Sequence, residues 1–131
     1  MRAAIEKALG SGNRKGVKRV SSVSMGSQPD PQIVIEWAIN DNLTEGMIKS
    51  GAKRDVTDIL KTVAQSGIKY GSVYARGTFS MQDKFGNTQE TVVIEAKYTR
   101  ATVDRINWSN FLSSNVYVIA DEIWIHPAFR D

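Results

Sequence analysis

An α+β fold follows from three observations: a four-stranded antiparallel sheet with helices on one face, in the order αββαββ. Segments of the chain alternate apolar and polar residues with the period of two that a half-buried strand requires. Two other segments repeat apolar residues at helical spacing. Turn-forming residues fall between strands in such a way that each helix is followed by a hairpin, which suggests one sheet with both helices on the same side. The 131 residues, 41% hydrophobic and 24% charged, suit a single domain. Residues 1–106 make the αββαββ core and residues 107–131 a C-terminal packing segment.

The first helix covers residues 2–9, where Ile5 and Leu9 recur at helical spacing and Gly10 stops it. A polar loop runs from Gly10 to Gly16; its glycines do not match a dinucleotide fingerprint, and no strand precedes them. Residues 17–25 read as a weakly alternating strand. Gly26 to Pro31 then forms a turn, because proline removes a backbone donor. Residues 32–40 alternate cleanly, with Ile33, Ile35, Trp37 and Ile39 on one side and Val34, Glu36 and Ala38 on the other. Asn42, followed three residues later by Glu45, resembles a capping box for a long helix over residues 43–65. Its apolar stripe is Ile48, Ala52, Val56, Ile59, Leu60 and Val63, and Ser66-Gly67 closes it. Gly51 inside it costs about 1 kcal/mol relative to alanine and suggests that another element approaches closely there.

Residues 70–81 form the third strand, with Val73, Ala75, Gly77, Phe79 and Met81 inward and Tyr74, Arg76, Thr78 and Ser80 outward. The loop 82–87 carries Gly86 at its tip. The fourth strand, 88–99, places Val92, Ile94, Ala96 and Tyr98 toward the core, and Val93, Glu95 and Lys97 outward. Residues 102–106 form one helical turn, Asn115 caps a second short helix, and residues 123–127 are extended up to Pro127. The apolar residues of 107–131 demand burial, so this segment is expected at the edge of the sheet or over its helix-free face.

Composition excludes several chemistries. The chain has no cysteine and one histidine, which removes disulfides, thiol catalysis, zinc fingers and multi-histidine metal sites. No apolar run reaches the length of a membrane span. No catalytic residue, metal site or cofactor is expected. His126 lacks a nucleophile-elbow serine in the sequence and reads as a hydrogen-bonded residue at a strand end. Asp55 and Asp58, three apart on one helix face beside Arg54 and Lys61, read as a solvated ion network.

The net charge is +3, and it is concentrated at one end: residues 1–30 hold six basic and two acidic groups, residues 31–131 eleven and twelve. Arg14, Lys15, Lys18 and Arg19 are therefore candidate binding residues for an anionic partner, nucleic acid or lipid. The alternative is a solvated turn. Tyr74 and Arg76 are the second candidate pair, since an aromatic beside basic groups on an open sheet can hold single-stranded nucleic acid. There the alternative is a face covered by the C-terminal segment.

The αββαββ order, the segment Trp37 to Gly46, and the closing Ile106-Asn107-Trp108 and Ile125 to Phe129 segments resemble small domains of bacterial envelope or secreted proteins, often lipid-anchored. The topology is also similar to the BON domain, an envelope module that binds lipid or partner proteins. This chain is longer than that domain and lacks its glycine-centred pattern, so no catalytic residue is carried over. The resemblance implies a non-enzymatic binding domain of the cell envelope whose partner is a protein or envelope component. No signal peptide is visible; the resemblance places the domain outside the cytoplasm if a natural leader precedes Met1, and in the cytoplasm otherwise. The rival readings are a nucleic-acid-binding protein using the basic turn and a small hydrolase using His126.

Overall fold

The computed structural model describes residues 1–10 and 16–131. Along the chain lie α1 (Arg2–Leu9), β1 (Val20–Met25), β2 (Gln32–Ala38), α2 (Glu45–Gln65), β3 (Ser72–Gln82), β4 (Thr88–Thr99), α3 (Arg100–Asp104) and β5 (Glu122–Ile125), with short 3-10 turns at Ser113–Asn115 and Pro127–Phe129. The fold is α+β, as the alternating patterns imply. The sheet has five strands, not four, and they lie side by side in chain order.

Three of the four pairings are antiparallel, but β2 and β3 run parallel. This corrects the all-antiparallel expectation, and its cause is the connection. A two-residue turn reverses a chain, whereas a helix of 21 residues rises about 31 Å and carries the chain back to the end at which β2 began. The fifth strand comes from the tail: Glu122–Ile125 pairs antiparallel with β4, Ile94 opposite Ile125 and Lys97 opposite Glu122. The segment expected to be extended before Pro127 is this strand; its pairing with β4 is what four residues cannot announce.

The register of β3 against β4 slips by one residue, from Gly77 opposite Ile94 to Thr78 opposite Val92. Val93 is the extra residue, a β-bulge. Val93 and Ile94 are consequently both buried, although strict alternation puts Val93 outside.

Helix α2 is capped by Thr44, not Asn42: the Thr44 Oγ1 accepts the Met47 N–H at 3.1 Å. The stripe expected of it is real, with Ala52, Val56, Ile59, Leu60 and Val63 buried. Asp55 is buried among them, which corrects its assignment to a solvated network with Asp58. Gly51 has no close neighbour: a methyl group there would sit 3.6 Å from the Asn42 amide, an ordinary contact. A glycine that does admit a core neighbour is Gly77, where a β-carbon would stand 3.0 Å from the Trp37 ring.

The core lies between the sheet and the helices, with Ile5 of α1 and the α2 stripe against Ile33, Ile35, Trp37, Val73, Ala75, Ile94 and Ala96. The tail completes it on the same side. The buried Tyr98 hydroxyl donates to the Val116 carbonyl at 2.6 Å, and Phe129 meets Phe79 edge-on at 5.4 Å. Lys53 pairs with Asp131 at 2.6 Å, and Lys49 donates to the Arg130 carbonyl. The tail therefore extends the sheet and packs on its helix-bearing side. The tail does not cover the opposite face, which was expected to need it.

Candidate functional site

Because neighbouring strands put directly opposed residues on the same face, the pairing register places two rows of side chains across the open face. One row runs Ser22, Glu36, Arg76, Glu95, Trp124; the other runs Ser24, Val34, Tyr74, Lys97, Glu122. Tyr74 and Arg76 stand at the centre of these rows, and both are half-buried.

The rows are tied by polar contacts. The Tyr74 hydroxyl donates to the Glu95 carboxylate. That bond, before burial, raises the Tyr74 pKa and keeps the phenol protonated. Arg76 Nη1 lies 3.5 Å from Glu36 Oε2, and Lys97 Nζ lies 3.4 Å from Glu122 Oε2. Arg76 Nε is buried without an acceptor. Two shallow depressions share Tyr74 and Glu95 as a common wall. One, about 280 Å³, is otherwise lined by Lys97, Glu122, Ile123 and Trp124. The other, about 240 Å³, is lined by Gln32, Val34 and Arg76. Trp124 is 44% exposed, and His126 packs edge-on against it at 6.2 Å. Trp124, Glu36 and Glu122 were not singled out from the sequence as site residues. Glu36 and Glu122 declare themselves only once the register is known, and Trp124 only once β5 exists.

The basic turn has a different character. Arg14 and Lys15 lie outside the described residues, and Lys18 is exposed. Arg19 is inside the molecule, 6% exposed. Its Nη2 meets Asp55 Oδ1 at 2.7 Å, its Nη1 the Ala38 carbonyl at 2.5 Å, and its Nε the Leu9 carbonyl at 3.3 Å. Trp37 Nε1 donates to the second Asp55 oxygen at 3.0 Å. Burial pushes the Asp55 carboxyl above its ordinary value, against the pull of Arg19 and Trp37. Arg19 thus ties α1, the end of β2 and α2 together on the helix side, and the structure does not bring it to Tyr74 and Arg76.

His126 Nδ1 accepts the Ala128 N–H at 3.0 Å, which caps the turn Pro127–Phe129. Among the described residues no serine hydroxyl bonds to it. Among the same residues no three histidine or carboxylate side chains gather as metal ligands, and no helix is long and apolar enough to cross a membrane. The sheet face can therefore offer stacking from Tyr74 and Trp124 and the paired charges of Arg76 with Glu36 and Lys97 with Glu122. No family model matches the chain, and no curated protein or solved structure is significantly similar to it.

Proposed function

We propose that this chain is a non-enzymatic binding domain that recognises a protein partner through its helix-free sheet face. The observation that carries the reading is the centre of that face, which the tail leaves uncovered and where Tyr74, Arg76, Glu95 and Trp124 lie in two cross-strand rows. A half-buried tyrosine, an exposed tryptophan and an arginine, beside charge pairs, match the composition of protein interfaces, in which Tyr, Trp and Arg are enriched. The nucleic-acid reading is weaker on this surface. Glu36, Glu95 and Glu122 share the face with only Arg76 and Lys97, so a phosphate chain would meet more like charge than opposite charge. Arg19, moreover, is committed to Asp55.

Panning a random peptide display library against the folded protein tests this. Enriched peptides are expected to shift the backbone amide signals of Val34, Tyr74 and Lys97, and to bind about tenfold or more weakly to Tyr74→Ala and Trp124→Ala, the loss of one anchoring contact. Peptides that map elsewhere, or tight single-stranded DNA binding at physiological salt with none by peptides, would overturn it.

A further inference from the structure

A second concavity lies away from the sheet face, between the end of α3, the turn 107–111 and the segment leading into β5. Its volume is about 480 Å³, within the range of about 300–1,000 Å³ usual for small-molecule sites. Ile106, Phe111 and Ile119 form its apolar wall, and each is half-buried. Trp108 packs edge-on against Phe111 at 6.0 Å and supports that wall from behind.

Two opposite charges line the same cavity, Arg105 and Asp121. They do not pair with each other, and among the described residues neither enters an ion pair. The Arg105 guanidinium is exposed and has no side-chain hydrogen bond among those residues. Asp121 is fixed in place: its carboxylate accepts the Thr99 N–H at 2.8 Å, the Thr102 hydroxyl at 3.0 Å and the Thr99 hydroxyl at 3.2 Å. Three donors leave room for another, since a carboxylate offers about four acceptor sites. The Thr99 N–H, foremost among these bonds, holds the Asp121 carboxyl below its ordinary value, so it is a settled anion at neutral pH.

A pocket with an apolar wall and separated, unspent charges of both signs is complementary to a molecule that carries the same three features. We propose that this cavity binds a small zwitterion with an apolar body, of the amino-acid or dipeptide kind. Its carboxylate meets Arg105, where a planar fork of donors suits a carboxylate. Its ammonium meets Asp121, and its apolar side chain covers Phe111, Ile106 and Ile119. A ligand with only one of the two charges desolvates the other wall without replacing its hydrogen bonds, and so binds less well. The site is separate from the sheet face and stands without the reading given above.

The test is an NMR titration of the amide signals of the full chain with leucine, the dipeptide leucyl-phenylalanine, isocaproate and isoamylamine. Leucine or the dipeptide is expected to shift residues 105–111 and 119–121 and to saturate at or below about 1 mM. Isocaproate and isoamylamine each lack one charge and are expected to bind at least about tenfold more weakly. Arg105→Gln is expected to cause a similar loss with an unchanged thermal melt, because the side chain is exposed and unpaired. Failure of both zwitterions to shift these signals, equal binding by a single-charge analogue, or full affinity in Arg105→Gln would each overturn the proposal.

Discussion

Arg19 and Asp55 show how much one pair of residues can hide. In the sequence Arg19 sits beside Lys18 in a basic stretch, and nothing in that stretch tells which cation turns inward. Asp55 carried the better signal, since it falls among Ala52, Val56 and Ile59 on the buried stripe of α2. A carboxylate in that position needs a partner. Because burial dominates, the folded pKa of Asp55 lies above its ordinary value of 3.8. Its ionisation therefore opposes folding, and stability falls as pH rises from that value through the folded pKa. Removing the cation sharpens the effect. Arg19→Met is expected to cost about 3–5 kcal/mol at neutral pH, the usual loss for a buried charge left alone. The loss should shrink at mildly acidic pH, where Asp55 takes up a proton. Adding Asp55→Leu should restore most of the stability. Urea melts at the two pH values check this; a loss independent of pH, or a double variant as unstable as the single, contradicts it.

At the level of elements, two glycines with the same single-letter code have opposite meanings. Gly51 lies inside α2 with ordinary room for a methyl group, so the helix bears a conformational cost without a packing return. Gly51→Ala should stabilise by about 0.5–1 kcal/mol. Gly77 lies opposite Trp37 in the β2–β3 register, with the indole within 3.0 Å of where a β-carbon would be. Gly77→Ala should destabilise by about 1–3 kcal/mol through overpacking. Denaturant midpoints of opposite sign are the expected result, and a shared sign would disprove the distinction. The same contrast explains what was legible. Strands β2 and β3 and helix α2 announced themselves because alternation and helical periodicity are properties of consecutive residues. The bulge at Val93 was not, because one inserted residue changes which side chains face inward without changing composition. Thr44 took the capping role because its hydroxyl, not the Asn42 amide, stands next to the first turn of α2.

For the molecule as a whole, the tail decides both solubility and the shape of the candidate site. It contributes β5, buries Val116 and Phe129, and supplies the carbonyl that satisfies the Tyr98 hydroxyl. Deleting residues 107–131 should therefore give an insoluble or molten product lacking near-ultraviolet circular dichroism. A soluble truncated chain with a cooperative melt would show that the tail is dispensable. Six of the ten residues in the sheet-face rows could be read from the sequence, since Val34, Glu36, Tyr74, Arg76, Glu95 and Lys97 follow from the alternation of β2, β3 and β4. Glu122 and Trp124 joined them only through the pairing of β5 with β4.

The parallel seam between β2 and β3 also bears on how the chain is made. The two hairpins are local and can zip within microseconds, but Gln32 finds its partner Ser72 forty positions later. A ribosome releases the β1–β2 hairpin well before β3 has been synthesised. Through that interval the hydrogen-bonding edge of β2 has no partner, and the side chains of Ile33, Ile35 and Trp37 have only the short helix α1 for cover. This is a ready template for pairing with another nascent chain. Helix α2 is the next element to emerge, and its stripe completes the cover that Ile5 and Leu9 of α1 only begin. The order of elements along the chain thus sets the length of the aggregation-prone window during translation.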